Sequence, residues 1–195
     1  LTILFYINLL KKVIPSTTTS LKLIYFINLI PFGLLVYAFS ISDFTLLNVV
    51  ENSYINDPIF YKVTSAWGSH EGSILLWVFL INLFGVFFLY KNQTVEIHKN
   101  ILFISTLFIL YVLISSNPFT YVEANEDILG LGLNPILQHF LFTIHPPTLF
   151  LGYIGLIIPF VISAHMLVNK NFSEKLFKEM LIWSKISWFF LTGGI

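Results

Sequence analysis

His145-Pro146-Pro147-Thr148-Leu149-Phe150-Leu151-Gly152-Tyr153 is the stretch on which the reading of the chain turns. It joins a polar, Pro- and Gly-punctuated segment to an apolar run that continues to Val168. A run of about 20 apolar residues is what a helix needs to cross the hydrocarbon core of a bilayer. Proline fixes its own φ and has no N–H to donate, so it sits most readily in the first turn of a helix. Pro146 and Pro147 are therefore expected to open a membrane helix over 148–168, with His145 just outside it at the water–lipid boundary. A histidine held there has two readings. It offers a ring nitrogen to a metal or haem iron, or it caps the helix and bridges lipid headgroups. Ionisable groups at such a depth lean towards function, but the pattern alone leaves both readings open.

Composition agrees with a membrane setting. Of 195 residues, 56% are hydrophobic, 17% aromatic and only 10% charged, with a mean hydropathy of +0.84. A soluble domain carries about 25% charged residues. The expected fold class is all-α, a polytopic integral membrane helix bundle of about five to six spans within a single membrane domain over 1–195. Net charge is zero and cysteine is absent. Nothing points to nucleic acid, and disulfides or thiolate metal sites in this chain are excluded. All ten basic residues are lysine. Abundant Phe, Ile, Asn, Lys and Tyr suit an AT-rich genome such as that of a mitochondrion.

Outward from the opening stretch, spans are expected at about 22–41, 73–90, 101–116, 148–168 and, incomplete, 183–195, with a short first helix at 1–14. Pro31-Phe32-Gly33 predicts a kink in the first full span. Leu133, Leu137, Phe140 and Ile144 recur at helical spacing and predict an amphipathic or re-entrant segment over 132–144. The stretch 169–182 reads as a Lys-rich turn with a helical look. The loops at 42–72 and 116–147 then share one side, with one lysine, Lys62, and the acids Asp43, Glu51, Asp57, Glu71, Glu123, Glu126 and Asp127. Lys11, Lys12, Lys22, Lys91, Lys99, Lys170, Lys175 and Lys178 fall on the other side, and Lys185 lies just inside the last span. Lysine-rich segments stay on the side of synthesis. Both loops are thus expected to face the periplasm, or the intermembrane space of a mitochondrion.

Those loops hold the constellations that carry chemistry. In Trp67-Gly68-Ser69-His70-Glu71-Gly72-Ser73 the glycines allow a sharp turn or the close approach of a flat ligand. Trp67 offers a stacking face, or simply an interfacial anchor; His70 beside Glu71 reads as a carboxylate-tuned imidazole, or Glu71 as a plain headgroup-level acid. The second constellation is Gly130-Leu131-Gly132-Leu133-Asn134-Pro135, then Gln138-His139, then His145-Pro146-Pro147. A zinc triad of His70, His139 and His145 is disfavoured, because a spacing of six does not place two side chains on one helix face. A single boundary histidine among Trp and Tyr, with no thiolate, fits axial ligation of haem. His139 reads as a solvated loop residue. His98 and His165 fall on the opposite side, facing solvent or packed in the bundle. No nucleophile elbow or carboxylate pair supports a hydrolase, and the nearly charge-free spans give a proton relay nothing to run on.

Ser42-Asp43-Phe44, Val50-Glu51-Asn52-Ser53, the Trp67–Ser73 string with Leu75-Leu76-Trp77, Ser116-Asn117-Pro118-Phe119, Gly132-Leu133-Asn134-Pro135 and His145-Pro146-Pro147 with Leu149 and Gly152-Tyr153 resemble, in that order, the N-terminal part of the CcmF haem lyase family. The resemblance runs over roughly 22–195. That family belongs to the system I pathway of cytochrome c maturation in bacteria and some mitochondria. The resemblance implies that haem is taken from a haem chaperone and joined to apocytochrome c on the outer face of the membrane. Thioether bonds form between the haem vinyl groups and the cysteines of the acceptor's Cys-x-x-Cys-His motif. It implies His145 as an axial ligand to a b-type haem, held transiently as substrate or bound. Trp67, Gly68, His70, Glu71 and Gly72 would shape the same outer pocket, with Asn134, Pro135, Pro146, Pro147 and Tyr153. No catalytic residue is assigned.

The family's Trp-rich haem-binding segment and second outer histidine follow the helix that begins near Trp183 here. The chain is therefore expected to be one part of a split protein, a piece of a longer chain, or a truncated relic. The leading expectation is the N-terminal part of a haem lyase, completed by a C-terminal haem lyase chain, in the mitochondrial inner membrane or the bacterial cytoplasmic membrane. The alternative is a non-catalytic accessory subunit that packs against respiratory complex subunits and membrane lipid.

Overall fold

A computed structural model describes residues 17–123 and 128–195. The expected helix at 1–14, with Lys11 and Lys12, lies outside the described residues, as do Glu126 and Asp127. Helix α1 spans Thr18–Ser40 and continues through Pro31. Its cap is Thr17, whose hydroxyl oxygen accepts the Ser20 N–H at 3.2 Å. Two short helices follow, α2 at Leu47–Asn52 and α3 at Ile59–Ser65. Helix α4 spans His70–Lys91 and α5 spans Val95–Ser115. After a 3₁₀ turn at Pro135–Gln138 come α6 at Phe140–Gly155, α7 at Ile157–Asn169 and α8 at Glu174–Gly194.

Four helical stretches among the described residues are long and apolar enough to cross a membrane: α1, α4, α5 and the pair α6–α7. The chain is an all-helical polytopic membrane bundle. Helix α8 has 21 residues, but Glu174, Lys175, Lys178, Glu179 and Lys185 make it more polar than the others. The stretch expected over 169–182 as a Lys-rich turn with a helical look is helical from Glu174, where α8 begins, and the turn itself is short. Charged residues at i and i+4 support a helix rather than end it, and Lys178 Nζ meets Glu174 Oε1 at 2.7 Å. The span expected at 148–168 begins earlier, at Phe140, and breaks at Leu156. Pro159 supplies no N–H for the Gly155 carbonyl, so it falls in the first turn of a new helix.

Helix α4 is the centre. Its apolar residues run all round, as a largely buried helix requires, with Phe87 and Tyr90 exposed near its C-terminal end. It packs on α1, α5, α6 and α7. In lipid, apolar faces gain nothing by leaving water, so helices associate through close packing and hydrogen bonds. Both devices are present. An alanine Cβ at Gly85 would stand 2.3 Å from the Tyr25 ring, so α1 and α4 approach closely there. Asn82, fully buried in α4, receives the Asn28 amide at 3.0 Å and donates to Ser105 Oγ at 2.7 Å, tying α1, α4 and α5 together.

The two long loops meet at one end of the bundle. The Leu47 N–H donates to the Thr120 carbonyl at 2.9 Å, and the Val122 N–H to Thr45 at 3.0 Å. Ile55 bonds Leu129 at 2.9 Å and Leu131 bonds Val50 at 2.8 Å. Gly130 and Gly132 have φ of +81° and +88°, a region open to glycine. At Gly130 a Cβ would also strike the Ser53 carbonyl oxygen.

Candidate functional site

His139 is the residue that starts α6. Its backbone is extended, with φ −92° and ψ 131°, and its Nδ1 accepts the Leu141 N–H at 3.3 Å. The capping role considered for His145 therefore belongs to His139. The amphipathic or re-entrant segment expected over 132–144 is in two pieces that divide at the same point: the 3₁₀ turn ends at Gln138 and α6 starts at Phe140. The Thr143 hydroxyl ties the two pieces, donating to the Leu137 carbonyl at 2.9 Å and to that of His139 at 3.1 Å.

His145 is not outside the helix but in the second turn of α6, with Pro146 and Pro147 inside the helix. Each proline removes the donor that would serve the carbonyl four residues earlier. The two carbonyls left are those of Phe142 and Thr143. A helix survives such a loss when other groups re-satisfy the backbone. Here the indole Nε1–H of Trp67 donates to the Thr143 carbonyl at 3.1 Å, from 76 residues away in sequence. That partner is invisible to any local pattern, which is why the prolines read as a helix start.

The side chain of His145 is exposed and faces a cleft of about 360 Å³. His139, Phe142, Thr148, Gly193 and Gly194 line the same cleft, so the N-terminal half of α6 and the end of α8 form its walls. The structure thus brings His139, read from sequence as a solvated loop residue and exposed as that reading has it, into the lining of the same cleft as His145.

The Trp67–Ser73 string divides. Trp67 turns toward α6, and the carbonyl of Trp67 accepts the Ser73 hydroxyl at 2.8 Å. Gly68 lies under Leu133 and Leu137, where a Cβ would come within 2.9 Å of a Leu133 methyl group. Ser69 caps α4, its hydroxyl oxygen accepting the Gly72 N–H at 3.0 Å. At Gly72 a Cβ would collide with the Ala66 carbonyl. His70 points elsewhere, its Nε2 lying 3.3 Å from the Tyr111 hydroxyl on α5. Glu71 occupies the first turn of α4, where a carboxylate opposes the positive end of the helix dipole.

Of the other expected site residues, Pro146 packs in the small gap between Trp67, Thr64, Leu133, Leu137 and Thr143. Asn134 caps the 3₁₀ turn, accepting the Ile136 N–H at 3.0 Å, and Pro135 is that turn's first residue. Tyr153 is 51% exposed, two helical turns beyond His145. His70, Glu71, Asn134, Pro135, Pro147 and Tyr153 are not among the residues that line the His145 cleft.

Among the described residues the His145 imidazole has no hydrogen-bond partner, so a ring nitrogen is free to bind a ligand. No lysine lines the cleft, and the chain has no arginine. The cleft therefore offers an imidazole nitrogen beside apolar side chains, Leu141, Phe142 and Ile144. It supplies no cation for propionate groups.

The family described as "Cytochrome C assembly protein" matches residues 67–195. The cytochrome c-type biogenesis protein CycK of Bradyrhizobium diazoefficiens is 39% identical over 160 residues, covering 79% of this chain and 24% of the relative. The cytochrome c-type biogenesis protein CcmF of Haemophilus influenzae is 37% identical over 172 residues, covering 85% of this chain and 26% of the relative. A solved structure, "Cytochrome c Heme Lyase CcmF", shares the fold with a TM-score of 0.77 at 23% identity, over 91% of this chain and 28% of that one. The chain spans about a quarter of the length of the curated relatives it matches.

Proposed function

The chain belongs to the cytochrome C assembly protein family, and from that premise we propose that it forms the N-terminal part of a cytochrome c haem lyase and presents haem to apocytochrome c. The carrying observation is His145: an exposed imidazole without a protein partner among the described residues, on a turn of α6 that faces an open cleft. In this role His145 would hold the haem iron through a ring nitrogen. Phe142 and the glycine edge of α8 give the ring an apolar surface, and His139 stands at the rim. When bound, the haem supplies the vinyl groups across which the acceptor's thiols add. Cations for the propionates and any further ligand would come from outside the described residues, in a C-terminal haem lyase region or a partner chain. A haem chaperone delivers the haem.

Bacterial relatives support a bacterial cytoplasmic membrane as the location. The mitochondrial inner membrane is supported by composition alone. The concentration of lysines at the end opposite the loops supports an outward-facing cleft, toward periplasm or intermembrane space. The alternative of an accessory subunit in a respiratory complex draws only on apolar faces that every membrane helix has.

The test is spectral. The protein is purified with its native partners, and a Soret band is expected that is lost or shifted in His145→Ala, with a parallel loss of cytochrome c maturation in vivo. An unchanged band and unchanged maturation would remove His145 from the site.

A further inference from the structure

We propose that Trp67 is a positioning residue for His145, its indole N–H standing in for the helix donor that Pro147 takes away. The claim about geometry stands alone; its meaning for haem rests on the reading of His145 as a ligand.

Pro146 and Pro147 delete two consecutive rungs from the hydrogen-bond ladder of α6, at the turn that holds His145. A helix without those rungs hinges easily. The side of the helix that carries Thr143 is closed to water, since Thr143 is 2% exposed. Solvent therefore does not replace the missing donor, and a buried carbonyl must find a partner within the protein. The Trp67 indole is that partner at 3.1 Å. It is itself fixed. The Ser73 hydroxyl holds its carbonyl at 2.8 Å, and the bare Cα of Gly68 lets Leu133 and Leu137 close over the neighbouring backbone. The Thr143 hydroxyl fastens the same residue to the 3₁₀ turn through Leu137. His145 lies two residues beyond this clamp, so the direction of its side chain is set by the clamp. Partners one step removed from a metal ligand act in this way, by fixing the orientation of the ligand.

The proposal makes a specific demand on chemistry. Trp67→Phe keeps an aromatic ring and removes the donor. Pro147→Ala gives the helix back its own N–H for the Thr143 carbonyl. If the indole bond is what matters, the second change repairs the first. If Trp67 only fills space, it does not.

Both variants and their combination are made in the full protein with its native partners. Two readouts are taken: haem retention by the Soret band, and the rate at which diethyl pyrocarbonate modifies His145, mapped by mass spectrometry. Trp67→Phe is expected to weaken haem retention roughly 10-fold and to change the His145 modification rate. Trp67→Phe with Pro147→Ala is expected to return both toward the wild-type values. Wild-type behaviour of Trp67→Phe, or a double variant no better than the single, overturns the proposal. If Trp67→Phe fails to accumulate in the membrane, recovery of the protein by Pro147→Ala supports the proposal, and no recovery overturns it. Should haem retention prove indifferent to His145→Ala, the modification rate alone still decides the positioning, and only the haem reading falls.

Discussion

The Tyr25 hydroxyl lies 3.0 Å from Nδ1 of His98, although the two residues are 73 positions apart and belong to different helices. The other ring nitrogen, Nε2, lies 2.7 Å from the Asn92 carbonyl oxygen. A carbonyl only accepts, so Nε2 carries the proton and Nδ1 accepts from tyrosine. Both side chains are fully buried. Tyr25→Phe keeps the ring that packs on Gly85 and leaves Nδ1 without a donor. We expect a loss of about 1 kcal/mol, seen as a lower midpoint of thermal unfolding in detergent. A midpoint equal to wild type would mean that the buried pair contributes nothing.

Asn82 is the junction of the second buried network. Its amide donates to the Val78 carbonyl and to Ser105 Oγ, both at 2.7 Å, and its oxygen accepts from Asn28 at 3.0 Å. Asn82→Leu leaves both Asn28 and Ser105 without this partner, whereas Asn28→Leu removes one bond from a half-buried position. Polar contacts between membrane helices average about 0.6 kcal/mol, with larger values near 1.7 kcal/mol. Asn82→Leu is expected near the upper figure and Asn28→Leu near the lower. Equilibrium unfolding of both variants in the same detergent checks the order, and a reversed order would refute the junction role.

The spans α1, α4 and α5 were legible because an unbroken apolar run has one solution in lipid. The resemblance of the Trp67–Ser73 and His145–Pro147 strings to the CcmF family was equally legible, and the family match bears it out. The start of α6 was not. Proline reports a missing donor, and sequence does not say whether a distant indole replaces it. The 133–144 stripe had helical spacing, yet His139 is extended and divides it. At 174–182 the charges left turn and helix both open, and the chain is helical there: Glu174 and Lys178 pair on an exposed face of α8, whereas Glu179 is half-buried. His98 was read as bundle-packed or solvent-facing, and only tertiary contact with Tyr25 decides between them.

Helices α6 and α8 meet along a seam of small residues. A Cβ at Gly152 would stand 2.8 Å from the Leu191 backbone nitrogen, whereas one at Gly155 would meet the Ser187 hydroxyl. A hydroxyl can rotate away and a backbone cannot. Gly152→Ala is therefore expected to cost about 1–3 kcal/mol, and Gly155→Ala less. Gly193→Ala, with nothing within 4 Å of the new carbon, is the matched control. A cysteine pair at Leu149 and Gly194, whose side-chain directions converge in the same seam, reports on the approach of the helices. Oxidative cross-linking should be efficient in the wild-type background, slower with Gly152→Ala and unchanged with Gly193→Ala. Equal cross-linking in all three would show that the seam tolerates a methyl group.

The ends of the bundle differ in charge, and this predicts its orientation. Among the described residues, Lys22, Lys91, Lys99, Lys170, Lys175 and Lys178 lie at the end away from the two long loops. At the loop end stands Lys62, whose Nζ is occupied by the Ile55 carbonyl at 2.8 Å. Lysines near span ends remain on the side of synthesis, so the loop end is expected outside. The chain has no cysteine, which leaves no background for thiol labelling. Glu123→Cys lies in the second loop, and Lys175→Cys in the first turn of α8 at the opposite end. A membrane-impermeant maleimide added to intact cells or mitoplasts should label Glu123→Cys at once, and Lys175→Cys only after the membrane is opened. The reverse pattern would place the His145 cleft in the compartment of synthesis, where it could not serve an apocytochrome c matured on the outer face, and the proposed function would fail with it.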